Sequence, residues 1–185
     1  MCERRICGYP EGKTMRLFIA VLFEEDILNS LTAFQDRLRI QGVRGRYARR
    51  ENLHLTLAFI GDYGDPDAVL DAMTQADFRP FDLELDGVGS FGSIFWAGIK
   101  DSIPLTAYTR RLRRALAEQG IPYDRKKFSP HITLIRDASY RNGRPIPVTD
   151  PPAGRMIVKR ISLMKSERGR NGMIYTEIGS VEAAG

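Results

Sequence analysis

The chain has 185 residues, 43% hydrophobic and 28% charged, with a formal net charge of +5. This is the composition of one globular domain, or of two small lobes sharing a core. It excludes a membrane-spanning helix, because no stretch approaches the roughly 20 apolar residues needed, and the basic start is followed by no apolar run of a signal peptide. A cytoplasmic protein is expected. The positive charge fits an anionic partner and fits equally a basic surface that only confers solubility.

Residues 1–14 carry Cys2, Cys7, Gly8, Pro10 and Gly12 without periodicity and read as a flexible leader. A disulfide between the two cysteines would close a trivial loop, and two thiols are too few for a structural zinc site. The folded domain is expected over 15–179, with a tail over 180–185.

Met15–Phe23 is a continuous apolar run and reads as a buried strand. Glu24–Gln41 carries Ile27, Leu28, Leu31, Phe34 and Leu38 at helical spacing, and Gly42 ends it. A short strand around Arg46–Ala48 precedes Leu53–Ile60, which alternates until Gly61 and Asp62. Asp65-Pro66-Asp67 opens a helix that continues through Ala68–Ala76. Strands follow over Phe81–Val88 and Ile94–Ile99.

Pro104–Gln119 is a basic amphipathic helix with Leu105, Tyr108, Leu112 and Leu116 on its buried stripe. Arg110, Arg111, Arg113 and Arg114 lie outside that stripe and read as a solvated face. After the loop Gly120–Pro130 comes a strand, His131–Arg136, then a long loop, Asp137–Arg155, rich in Pro, Gly and Arg. Arg155–Lys165 and Met173–Gly179 are the closing strands, around the turn Ser166–Gly172. The order suggests two similar halves, each a strand, a helix and a histidine-bearing strand.

The chain has two histidines, and both open the same four residues: His54-Leu55-Thr56-Leu57 and His131-Ile132-Thr133-Leu134. With nine Thr and sixteen Leu in the chain, coincidence has a probability of roughly 2 × 10⁻⁵ on composition alone. Side chains alternate faces along a strand, so His54 and Thr56 share one face, as do His131 and Thr133. Leu53, Leu55, Leu57 and Phe59 are then expected on the core side. Side by side about a pseudo-twofold axis, the two strands would bring two imidazoles and two hydroxyls to one cleft.

That set suits a phosphodiester. Hydrolysis needs a base for water and an acid for the leaving oxygen, and two imidazoles can hold opposite protonation states near neutral pH. Threonine hydroxyls can donate to the non-bridging oxygens. No metal or other cofactor is required, and two histidines on separate strands without neighbouring carboxylates make a poor metal site. A lone strand histidine is usually a hydrogen-bonded core residue; here that explanation would have to hold twice, with the same neighbours.

The paired motifs, within ENLHLTLAFIGD and FSPHITLIR, resemble the two-histidine phosphoesterase superfamily. Among its families the chain most resembles the RNA 2′,3′-cyclic phosphodiesterases, also called 2′-5′ RNA ligases. MRLFIAV, ISLMKS and MIYTEIG add to the likeness, which covers about Met15–Gly179. The resemblance implies a bilobal α+β fold, an antiparallel sheet in each lobe with helices outside and a central cleft. It implies opening of a terminal 2′,3′-cyclic phosphate, on RNA or a nucleotide, to a 2′-phosphomonoester.

By the same analogy His54 is the general acid and His131 the general base, although sequence symmetry does not decide that direction. Arg136 matches a family arginine that contacts the phosphate; strict alternation puts it on the wrong face, so a strand end or bulge is expected before it. Phe128 and Tyr47 are candidates to stack on a base, with core packing the commoner role for such aromatics. Tyr47 stands where relatives often have tryptophan.

Three alternatives stay open: RNA ligation by the same pair, a nucleotide- or RNA-binding module without turnover, and a hydrolase of another cyclic phosphate. Nothing in the sequence demands more than a monomer.

Overall fold

A computed structural model of the chain describes residues 14–140 and 149–183. Residues 1–13 of the expected leader and residues 141–148 of the loop expected over 137–155 thus lie outside the described residues.

The fold is α+β, with two antiparallel sheets and three α-helices among the described residues. In chain order the elements are β1 (Met15–Leu22), α1 (Glu25–Ile40), β2 (Val43–Tyr47), a 3₁₀ turn (Arg50–Asn52), β3 (His54–Tyr63), α2 (Pro66–Gln75) and β4 (Phe81–Phe91). They continue with β5 (Ile94–Ile99), α3 (Ile103–Glu118), β6 (His131–Tyr140), β7 (Arg155–Val158), β8 (Arg160–Gly169) and β9 (Gly172–Glu182). One sheet has the order β3-β1-β8-β9, the other β2-β6-β5-β4-β7.

The two orders correspond. Each histidine-bearing strand, β3 or β6, lies beside the strand that precedes a 16-residue helix, β1 before α1 and β5 before α3. Two further strands complete each set, and β2 adds a fifth strand beyond β6. The sheets approach each other where β3 meets β6.

The helices form for local reasons. In α1, Ile27, Leu31, Phe34 and Leu38 are buried on one stripe, acidic residues start the helix and Arg37 and Arg39 end it, as the macrodipole favours. Gly42 then takes φ +86°, a conformation glycine adopts without penalty. The Asp65 carboxylate caps α2 by accepting from the Ala68 N–H at 2.9 Å, and Pro66 sits in its first turn. In α3, Leu105, Tyr108, Leu112 and Leu116 are buried as expected. No helix among the described residues is long and apolar enough to cross a membrane.

Several expectations need correction. The run Arg155–Lys165 is two strands: β7 pairs with β4, the chain changes sheet at Lys159, and β8 pairs with β1. The strand from His131 extends to Tyr140, because β2 pairs with it as far as Val43 opposite Tyr140. The strand β9 runs past Gly179 to Glu182, with Ser180 and Val181 buried. The arginine face of α3 is only partly solvated: Arg111 donates to the carbonyls of Ala76 and Asp77 at 3.0 Å each, tying α3 to the end of α2.

One core runs between the sheets and the helices and takes Leu17, Ile19 and Val21 of β1 with Leu55 and Leu57 of β3. The opposite face of that sheet carries a second, smaller cluster of Phe18, Ala20 and Met164, with Leu22, Phe59 and Tyr175 against it. This second face is the one that bears His54.

Candidate active site

Each histidine is the first residue of its strand and is held by the chain just before it. The Nδ1 of His54 lies 2.7 Å from the Asn52 carbonyl, and the Nδ1 of His131 lies 2.7 Å from the Ser129 carbonyl. A carbonyl only accepts, so both Nδ1 atoms carry hydrogen, and in the neutral ring the lone pair is at Nε2. In both cases the acceptor stands two residues before the ring.

The histidine–threonine faces are as the alternation predicts. Thr56 Oγ1 lies 3.0 Å from His54 Nε2 and donates to it when the ring is neutral. All four residues are half-buried, whereas Leu55, Leu57, Ile132 and Leu134 are fully buried on the other face. In register, Leu22 and Ala20 of β1 stand beside His54 and Thr56, and Gly98 and Trp96 of β5 stand beside His131 and Thr133.

Burial lowers the His54 pKa from 6.5 to about 4, opposed by the bond to the Asn52 carbonyl. Electrostatic coupling to Arg136 and to His131 lowers it further, so both lie within electrostatic range of His54. The structure therefore brings His54, His131 and Arg136 towards one place, with Thr56 and Thr133 on the same faces.

A β-bulge follows each motif. Thr56 pairs with Ala20 and Ala58 with Ile19, which leaves Leu57 as an extra residue. Thr133 pairs with Trp96 and Ile135 with Phe95, which leaves Leu134 as an extra residue. Each bulge resets the alternation, so Leu134 and Ile135 are both buried and Arg136 returns to the face of His131. This is the bulge that Arg136 required. Arg136 is exposed and has no carboxylate partner among the described residues.

The same device corrects Phe59. Expected in the core, it lies beyond the Leu57 bulge and packs in the second cluster with Phe18. It occupies the first-motif position that Arg136 occupies in the second, and the Arg16 guanidinium lies 5.0 Å from its ring.

Aromatic rings flank each imidazole. Phe18 lies 4.8 Å from His54, and Tyr175 meets it edge-on at 5.2 Å. Phe91 meets His131 edge-on at 5.2 Å, and Trp96 lies 6.5 Å away. Phe91 is 45% exposed. Gly89 makes room for this arrangement, since a Cβ there would fall 2.3 Å from the Trp96 ring. No local motif marks these four aromatics, which reach the site through strand pairing.

The aromatics expected to stack on a base sit elsewhere. The Tyr47 hydroxyl donates to the Val43 carbonyl at 2.9 Å, the Arg39 guanidinium lies 4.1 Å from its ring, and burial raises its pKa. Phe128 packs against the core and under Arg113 at 5.5 Å, lining a cavity of about 380 Å³ with Tyr123 and Arg110. Among the described residues neither ring pairs with an imidazole, and no three His, Cys, Asp or Glu side chains cluster as a metal site would need.

The family model of the 2′-5′ RNA ligase superfamily matches residues 26–170. The chain belongs to that superfamily. It is 27% identical to the RNA 2′,3′-cyclic phosphodiesterase of Methanothermobacter thermautotrophicus, across 89% of this chain and 96% of the relative. It is 30% identical to the RNA 2′,3′-cyclic phosphodiesterase of Escherichia coli K12, across 90% and 96%.

Solved structures share the fold. The E. coli LigT complex with 3′-AMP superposes with a TM-score of 0.75 at 28% identity, covering 94% of this chain and all of that one. The TT0787 protein of Thermus thermophilus superposes with a TM-score of 0.76 at 26% identity, covering 92% and 99%.

Proposed function

We propose that this protein opens the 2′,3′-cyclic phosphate of RNA ends or nucleotides with water, giving a 2′-phosphomonoester, and that His54 and His131 are its acid–base pair. Supporting this are the relatives named RNA 2′,3′-cyclic phosphodiesterase and the matched surroundings of the two imidazoles. The observation that carries the reading is that each ring is held through Nδ1 and carries its working atom at Nε2.

In the reaction, water attacks phosphorus and its proton passes to the Nε2 of the neutral imidazole. The bond from phosphorus to O3′ breaks, and the protonated imidazole gives its Nε2 proton to O3′. Thr56, Thr133 and Arg136 face the phosphoryl oxygens and stabilise the added charge. No metal takes part in this scheme, and the substrate is an RNA end or a nucleotide handled by a cytoplasmic monomer.

By family analogy His54 gives the proton and His131 takes it. Burial keeps His54 neutral at neutral pH, so as the acid it must gain its proton with the arriving phosphate anion. The opposite assignment, with His54 as the base, is favoured by that neutrality and needs no such uptake.

The test uses purified protein in EDTA with a 2′,3′-cyclic nucleotide, product position being read by phosphorus NMR. A 2′-phosphate that disappears in His54→Ala and in His131→Ala is expected. A strict metal requirement, or full activity in either variant, would overturn the reading. A 3′-thio analogue, whose sulfur leaves without a proton, restores only the variant that lacks the acid.

A further inference from the structure

A bulge leaves its extra residue out of the regular ladder, so the carbonyls of Leu57 and Leu134 are open to a side-chain partner, that of Leu134 also accepting from the Ala48 N–H at 2.8 Å. Both find one in a helix side chain that also holds a second carbonyl. In α1, the Gln35 amide nitrogen donates to the Leu134 carbonyl and to the Ala48 carbonyl, at 2.9 Å each. In α3, Arg113 donates from Nε to the Leu57 carbonyl at 3.1 Å and from a terminal nitrogen to the Lys126 carbonyl at 2.8 Å.

The correspondence is close. Gln35 and Arg113 are each the eleventh residue of a 16-residue helix. Leu57 and Leu134 each stand three residues past a histidine, while Ala48 and Lys126 lie in the segments leading into His54 and His131. The ties cross over: Gln35 joins the bulge after His131 to the approach to His54, and Arg113 joins the bulge after His54 to the approach to His131. Gln35 is 2% exposed. Arg113 is half-buried beside Tyr123 and Phe128, 6.0 and 5.5 Å from their rings. The Gln35 amide nitrogen and two nitrogens of Arg113 are thus held by backbone carbonyls.

We propose that Gln35 and Arg113 are a matched pair of positioning residues, each tying one histidine motif to the other, and that together they set the separation of the two imidazoles. The proposal rests on the reading of His54 and His131 as the acid–base pair. Proton transfer to and from one phosphate demands that both rings meet it at hydrogen-bond distance, and small displacements cost large factors in rate. Such a residue therefore acts on kcat, not on binding.

The experiment measures kcat and KM on a 2′,3′-cyclic nucleotide for Gln35→Met, Arg113→Met and the double variant, at a temperature where circular dichroism shows each folded. Each single variant is expected to lose roughly ten- to a hundredfold in kcat, with KM within about threefold, and the double to lose less than the product of the two. Arg113→Lys, which keeps the charge but not the planar fork, is expected to stay impaired.

A second readout needs no turnover. The chain has only two histidines, so imidazole nitrogen–proton correlation spectra contain two ring systems, and each single variant is expected to shift both. If the methionine variants do not fold, Gln35→Asn and Arg113→Gln carry the same readouts. Folded variants with kcat within about twofold of the parent, full activity in Arg113→Lys, or a shift confined to one ring would each overturn the pair. A parent protein that leaves the cyclic nucleotide intact would overturn the proposed function instead, and the spectra would still decide the tie between motifs.

Discussion

The Thr56 hydroxyl sits 3.0 Å from the Nε2 of His54, whereas no hydrogen bond joins Thr133 to His131 among the described residues. Two motifs of identical pattern are therefore not in identical states: the first threonine holds its histidine's lone pair, and the second is free to meet a ligand. In the proposed reaction, a phosphate that accepts from Thr56 would take that hydroxyl away from His54.

Replacing either threonine by valine keeps shape and removes a donor. On the scale of a lost oxyanion donor, about a hundred- to a thousandfold of kcat goes with each. Thr56→Val also uncovers the His54 lone pair. The two effects are separated by measuring kcat and the pH profile together, with the acid limb moving in Thr56→Val and staying in place in Thr133→Val.

The pH dependence of stability has a definite sign. His54 is folded with its pKa at about 4 against 6.5 in the unfolded chain, so between those values the unfolded state binds more protons. The stabilisation is complete above pH 6.5 and is lost as pH falls to about 4, by at most about 3 kcal/mol. Urea unfolding of the parent and of His54→Gln at about pH 7 and about pH 4.5 checks this. The gap between the two pH values is expected to shrink in the variant.

Phe91 offers a 45% exposed ring beside His131. A base stacked on it gains about 1–3 kcal/mol, so Phe91→Ala is expected to raise KM for cyclic nucleotides several-fold or more and to leave kcat and the melting temperature nearly unchanged. Tyr47→Phe, which loses only the bond to the Val43 carbonyl, is expected to leave KM unaltered.

Arg136 lies within range of His54's field and meets no carboxylate among the described residues. Arg136→Gln is expected to weaken binding of an inorganic phosphate or a 2′-nucleotide about tenfold, as the loss of one charge-assisted hydrogen bond implies. Calorimetric titration at two salt concentrations measures it, with the smaller salt dependence in the variant.

The site was legible in the sequence to the extent that strand alternation is local. His54 with Thr56, and His131 with Thr133, need only a period of two. The fate of Phe59 was not legible, because its face is set by a bulge whose only trace is the adjacent apolar pair Leu57-Ala58. The same holds for the change of sheet at Lys159, which has neither glycine nor proline to mark it. Arg113 resembled its solvated neighbours because its acceptors, the carbonyls of Leu57 and Lys126, are brought to it only by tertiary packing. Trp96 and Phe91 reached His131 through pairing across β5 and β4, a relation that no window of sequence contains.

The crossing at Lys159 has a consequence for how the molecule can be divided. The sheet that holds His54 is built from residues 15–22, 54–63 and 160–182, so its strands come from the two ends of the described chain. Tyr175, which lies edge-on to His54, belongs to the last strand. Cutting the chain between the motifs therefore separates β1 and β3 from β8 and β9, and trimming the final strand removes Tyr175 from beside His54 while leaving the second motif's sequence intact. Behind the duplicated appearance of the sequence, the last two strands, β8 and β9, complete the sheet begun by β1 and β3.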